Sequence, residues 1–133
     1  HRFGLYDGVM IKDNHIVAHR SIANAVNAVQ EYFEERGIQD LGLEVETTNL
    51  DEVAEAVALP AVTRIMFDNF DSQTMRRGVE IVGDRCETEA SGGITLESIR
   101  SYAETGVNYI SVGALTHSAV ALDLALDLES VVR

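Results

Sequence analysis

Two glycine clusters, two acidic positions and one lysine are the residues here whose types and spacing could do chemistry. Ser91-Gly92-Gly93 stands just before Thr95 and an apolar helical stretch. Glycines let a backbone approach an anion closely, with amide N–H groups aimed at it. Gly113-Ala114 ends the following apolar run. Together the two clusters read as a phosphate-binding pair, whereas either alone reads equally as a tight turn. Glu46 and Asp68 close two other short apolar runs. Carboxylates there could bind ribose hydroxyls, hold magnesium on a pyrophosphate, or stabilise a cationic sugar; either could instead cap the following helix. Lys12 is the only lysine, and with Arg2 it supplies the cations available for an anionic ligand. His15 reads as a residue that orients its loop, and His19 as solvated surface. His117, four residues beyond Gly113, could donate a hydrogen bond to a phosphate.

The composition narrows the setting. A net charge of -12 argues against nucleic-acid binding, which draws its affinity from clustered lysine and arginine. Cys86 is the single cysteine, so an internal disulfide and a cysteine-based zinc site are excluded, and it reads as a structural thiol. The apolar runs are short and interrupted by charge, far below the roughly 20 residues of a spanning helix, so no membrane association is expected.

These residues need elements to hold them at one place. The apolar pattern alternates between strand-like and helix-like periods, recurring about every 22 residues. Gly8 to Lys12 reads as a strand followed by a long helix capped by Ser21, with Ile22, Val26, Val29 and Phe33 on one face and Gly37 at its end. Strands near Leu43–Glu46, Ile65–Asp68, Thr88–Ser91 and Tyr109–Gly113 follow. The helix after the first of these starts at Leu50 behind Asn49 and Glu52 and buries Leu50, Val53, Ala54 and Val57 before Pro60. The next begins near Thr74, and another, capped by Thr95, turns Leu96, Ile99, Tyr102 and Ala103 inward and stops at Gly106. Such alternation implies an α/β fold with parallel strands. Polar residues at successive strand ends favour part of a (β/α) barrel over an open sheet. Five units cannot close a barrel, and a longer native chain with more strands upstream is expected.

The order of these pieces is specific. His1-Arg2-Phe3-Gly4-Leu5-Tyr6-Asp7-Gly8-Val9-Met10-Ile11-Lys12-Asp13-Asn14-His15 resembles a signature of the quinolinate phosphoribosyltransferases. Leu43 to Glu46, Phe67-Asp68-Asn69, Glu89 to Thr95 and Ile110 to Ala119 follow in the family's order. Phe67 replaces a usual aliphatic residue, and Val120 stands where proline is common. The resemblance implies that residues 1–133 are the C-terminal part of the phosphoribosyltransferase barrel, without the N-terminal sandwich domain and the first barrel strands. It implies transfer of phosphoribosyl from 5-phosphoribosyl 1-pyrophosphate to quinolinate with decarboxylation, in NAD biosynthesis. It places quinolinate near His1, Arg2 and Lys12, and the ribose and a magnesium-bound pyrophosphate near Glu46 and Asp68. Phosphate falls to Ser91, Gly92, Gly93, Gly113, Ala114, Leu115 and His117. Lys12, Glu46 and Asp68 are the expected catalytic residues, with Mg2+ as cofactor and no direct protein metal site. A homodimer or higher homo-oligomer of the longer chain is expected, in the cytoplasm or, for a plant or alga, a plastid. Residues 1–133 alone are expected to be inactive. The alternatives are a related phosphate-binding barrel enzyme with another acceptor, or an inactive fragment.

Overall fold

The computed structural model describes residues 4, 6–118, 121–124 and 126. The chain alternates strand and helix: β1 (Val9–Ile11), α1 (Asp13–His19), α2 (Ile22–Arg36), β2 (Leu43–Thr47), α3 (Leu50–Val57), β3 (Arg64–Asp68), α4 (Ser72–Val82), β4 (Glu87–Ser91), α5 (Ile99–Ala103), β5 (Tyr109–Ile110) and α6 (Ala114–His117). All strand pairs are parallel, in the order β1-β2-β3-β4-β5. Each strand is laid beside the last without reversal. A doubly wound sheet reverses its strand order at a switch point, so this sequential winding is that of a barrel wall.

Parallel strands need both faces covered or satisfied, and the period-2 alternation divides the residues accordingly. Ile11, Val45, Ile65, Phe67 and Ala90 enter a single apolar core with Ile22, Val26, Val53, Met75 and Val82 from the helices. The opposite face carries Lys12, Glu44, Glu46, Arg64, Asp68, Glu87, Glu89, Ser91 and Tyr109. The helix layer packs closely: a Cβ at Gly78 of α4 would lie 2.9 Å from the ring of fully buried Phe67.

Local signals fix the helix ends. The Ser21 hydroxyl accepts from Asn24 N–H at 3.1 Å, and Gly37 ends α2 with φ 62°. Asn49 accepts from Glu52 N–H at 2.9 Å, while the Glu52 carboxylate accepts from Thr48 N–H at 2.7 Å. Asp71 accepts from Thr74 N–H at 2.8 Å, so α4 begins at Ser72, slightly before the expected start.

Four expectations are corrected. The segment after β1 is two helices, because Arg20 takes a left-handed φ of 73° between α1 and α2. Ala54 is exposed on α3 and Ala56 is buried in its place. Leu96 is 85% exposed. Thr95 and Ser98 exchange backbone-to-hydroxyl bonds, closing a turn before α5, so helical spacing does not govern Leu96. Ala103, in the last turn, is exposed as well.

Candidate active site

The carboxyl ends of the strands gather the polar residues. Lys12 follows Ile11, the partner of Val45, which puts it beside Glu46. Its Nζ lies 2.6 Å from Glu46 Oε2, with the lysine side chain 52% exposed and the glutamate side chain 11%. The bond to Glu46 raises the Lys12 pKa above its usual 10.5, against a lowering by partial burial; the charges of Glu46, Asp68 and Asp13 add to the rise. Strand order and side-chain alternation put Lys12, Glu46 and Asp68 on one face at successive strand ends. Lys12 N–H donates to His15 Nδ1 at 2.9 Å, so His15 is turned back on its own loop, and in a neutral ring the proton sits on Nε2.

Asp68 ends β3 opposite Ser91 of β4. Asn69 follows in a left-handed conformation, φ 56°. Its Nδ2 donates to Asp68 Oδ2 at 2.8 Å, and its N–H donates to Ser91 O at 2.9 Å. Gly92 and Gly93 then take φ of 95° and 58°, where a side chain would be strained. A Cβ on Gly92 would also lie 2.7 Å from Asn69 N.

One unit on, Gly113 precedes α6, and a Cβ on it would lie 2.8 Å from His117 Nε2, so the imidazole packs over the glycine. His117 Nδ1 lies 2.6 Å from Ser118 Oγ. The amides of Thr116 and His117 donate to Gly113 O, and that of Leu115 to Val112 O. Among the described residues, the amides of Gly92, Gly93, Gly113 and Ala114 donate to no protein acceptor. Leu115 is 78% exposed. The structure thus brings Lys12, Glu46, Asp68 and Ser91 to neighbouring strand ends, with both glycine turns beside them. His1 and Arg2 lie outside the described residues.

Sequence reasoning missed a second polar layer on the same face, nearer the strand starts. Arg64 donates to Glu87 Oε2 through Nη2 at 2.7 Å and to Glu89 Oε2 at 3.1 Å. Its guanidinium stacks 4.0 Å from the Tyr109 ring centroid. Tyr109 OH donates to Glu87 at 2.9 Å, and Ser111 Oγ to Glu89 at 2.5 Å. These side chains line a cavity of about 590 Å³ with Glu44, Thr63 and Met66. Its lining reaches Gly8, Gly42 and Thr63 at the strand starts, where barrel residues serve stability rather than chemistry.

Among the described residues no group of three His, Cys, Asp or Glu side chains is placed to hold a metal. Magnesium commonly takes one or two carboxylates and completes its shell with substrate phosphates and water. Glu46 and Asp68 fit that donor set.

Fold and strand-end residues together define a class: a (β/α)-barrel protein with a charged mouth of lysine, carboxylates and glycine turns. Residues 1–127 match the family model described as quinolinate phosphoribosyl transferase, C-terminal domain, and the chain belongs to that family. It is 46% identical over 128 residues to a probable nicotinate-nucleotide pyrophosphorylase (carboxylating) of Bacillus subtilis, covering 96% of this chain and 43% of the relative. It is 43% identical over 144 residues to the chloroplastic nicotinate-nucleotide pyrophosphorylase (carboxylating) of Arabidopsis thaliana, covering 98% of this chain and 41% of the relative. The crystal structure of NadC from Streptococcus pyogenes superposes with a TM-score of 0.82 at 35% identity, over 92% of this chain and 41% of that one. The Francisella tularensis nicotinate-nucleotide pyrophosphorylase gives 0.78 at 40% identity, over 87% and 39%. The chain spans about two fifths of the length of these relatives.

Proposed function

We propose that this chain supplies the strand-end half of a quinolinate phosphoribosyltransferase active site. In that reaction the pyridine nitrogen of quinolinate bonds to the anomeric carbon of 5-phosphoribosyl 1-pyrophosphate as the bond to pyrophosphate breaks. The carboxylate next to the nitrogen then leaves as carbon dioxide and a proton replaces it, giving nicotinate mononucleotide. The observation that carries this reading is the placement of Lys12, Glu46 and Asp68 at successive strand ends beside two glycine turns, in a chain matched to the family over residues 1–127.

Each residue has a distinct task. Lys12, with Arg2 and His1, draws the quinolinate carboxylates to one side of the mouth. Glu46 holds Lys12 in place and faces the ribose. Asp68 stabilises positive charge as it develops on the sugar. Backbone amides of Gly92, Gly93, Gly113 and Ala114, beside Ser91, Leu115 and His117, receive the phosphate. Magnesium, carried by the substrate's own pyrophosphate near Glu46 and Asp68, would supply neutralisation of the leaving group's charge. The chain offers positioning and electrostatics, with no protein nucleophile.

The assembly that turns over is a homodimer or higher homo-oligomer of a longer polypeptide, an assignment that rests on the family. It belongs to the cytoplasm, or to a plastid if the source is a plant or alga; the chloroplastic Arabidopsis relative supports the second setting. Among the described residues no helix is long and apolar enough to cross a membrane.

The test joins residues 1–133 to the segment that precedes the matched region in the Bacillus subtilis relative. Nicotinate mononucleotide formation is measured with magnesium and a panel of pyridine carboxylates. Quinolinate-selective turnover is expected from the chimera and none from residues 1–133 alone. Preference for another acceptor would overturn the substrate. Absence of both turnover and saturable calorimetric binding of phosphoribosyl pyrophosphate would overturn the activity.

A further inference from the structure

Asn69 touches both the Asp68 carboxylate and the glycine turn of the strand-end mouth. The parallel register sets Asp68 opposite Ser91, so the turn after β3 runs directly against the turn after β4. Asn69 stands at that crossing. Its carboxamide nitrogen donates to Asp68 Oδ2 at 2.8 Å. Its backbone N–H donates to Ser91 O at 2.9 Å, where the glycine turn begins. The rest of its carboxamide lies against the Cα of Gly92: a Cβ there would meet Asn69 Oδ1 and would stand 2.6 Å from Cγ.

The chemistry of the residue suits the place. The backbone φ of 56° admits asparagine and glycine far more readily than other residues. Asparagine alone adds an uncharged donor able to engage a carboxylate without competing for its charge. With Oδ2 accepting from Asn69, the Asp68 carboxylate is restrained on one side by the residue that also contacts the glycine turn.

We infer that Asn69 is a positioning residue that ties the orientation of the Asp68 carboxylate to the placement of the Ser91-Gly92-Gly93 turn, so that the group facing the sugar and the group facing the phosphate move as one. The inference rests on the proposed phosphoribosyl transfer, because that reaction gives the two groups one substrate. A ligand spanning both is gripped in one geometry, and loss of the tie lowers turnover more than it weakens capture of the acceptor.

Two variants separate this role from plain packing. Asn69→Gly keeps the left-handed backbone and the N–H to Ser91 but removes the carboxamide. Asn69→Asp keeps the shape, loses the donor and sets a second carboxylate against Asp68. In residues 1–133, Asn69→Gly should shift the Asp68 carboxyl carbon and the Gly92 and Gly93 amide resonances together. Shifts confined to residues 68 and 70 would overturn the tie. In the chimeric enzyme, both variants should lose about tenfold or more in kcat, with the KM for quinolinate held within about twofold. An Asn69→Asp enzyme as active as the parent would show that the side chain only fills space and would overturn the inference while leaving the proposed activity standing. A parent enzyme that neither makes nicotinate mononucleotide nor binds phosphoribosyl pyrophosphate saturably would overturn the activity and, with it, the positioning role given to Asn69.

Discussion

Removing the charge of Lys12 while keeping its length, as in Lys12→Met, should weaken quinolinate binding without an equal effect on phosphoribosyl pyrophosphate. The magnitude follows from the ion pair. Two unit charges about 4 Å apart attract by about 1 kcal/mol in water and about 4 kcal/mol near a protein surface. The Lys12 side chain is 52% exposed and that of Glu46 11%, so the pair belongs toward the lower end, about 1–2 kcal/mol. A charge-assisted bond to a ligand carboxylate is worth about 1.5–3 kcal/mol. Because Lys12 must be shared with Glu46, the net gain is smaller, about 1–2 kcal/mol, or roughly five- to thirtyfold in Kd. Glu46→Gln should act in the opposite sense, releasing Lys12 so that quinolinate binds as well or better while turnover falls. The raised lysine pKa keeps the pair's contribution in full below the usual 10.5 and loses it only as pH rises through the higher folded value. Lys12 therefore adds no pH dependence to quinolinate binding between about pH 6 and 9. Calorimetric titration of both ligands into the chimeric enzyme decides the matter. Equal losses for both in Lys12→Met, or a Glu46→Gln protein that loses quinolinate as severely, would refute the assignment.

Asp68→Asn should lower turnover with little change in quinolinate affinity; unchanged steady-state rates would remove its proposed role. Gly78→Ala should cost about 1–3 kcal/mol from crowding Phe67, against about 1 kcal/mol gained in helix propensity, so the urea midpoint should fall modestly. A rise in the midpoint would show that the ring yields freely. The bond from Arg64 holds the Glu87 carboxyl below its ordinary value of 4.5, so its stabilisation is present above that value and fades as pH falls through the lower folded one. Glu87→Gln should therefore flatten the acid loss of stability in urea melts taken across pH, and an unaltered profile would count against the network. Burial pushes the Cys86 thiol up, so alkylation at neutral pH should be slow compared with a free thiol, and rapid labelling would contradict its packing.

The strand and helix sequence was legible because each level of signal agreed. Ile22 and Val26 lie at helical spacing behind Ser21, and Leu43, Val45 and Thr47 alternate with Glu44 and Glu46 across one strand. The error at Leu96 fell where a local bond outcompeted periodicity. Thr95 and Ser98 satisfy each other's amides, so the chain turns where Leu96 was expected to begin a helix. The layer of Arg64, Glu87, Glu89 and Tyr109 was hidden for another reason. Charged residues at strand starts read as solvated ends until neighbouring strands face them toward one another. Strict alternation from Glu46, Asp68 and Ser91 back toward the strand starts would have found them.

What remained beyond the sequence is register, and the mouth depends on it. Parallel pairing puts Ile11 beside Val45, Val45 beside Ile65, and Asp68 beside Ser91. Side chains alternate between faces, so a slip of one residue in any strand would carry its polar end into the helix layer and an apolar neighbour into the mouth. The apolar partners therefore fix where the polar residues stand: Ile11, Val45, Ile65, Phe67 and Ala90 are buried to within 2% exposure, and none could change faces without leaving the core. The backbone positions of Lys12, Glu46, Asp68 and Ser91 are consequently set by the residues beside them in sequence, and their own contacts only orient the side chains. Charge-neutral substitutions among those four should thus alter binding and turnover while leaving the fold intact.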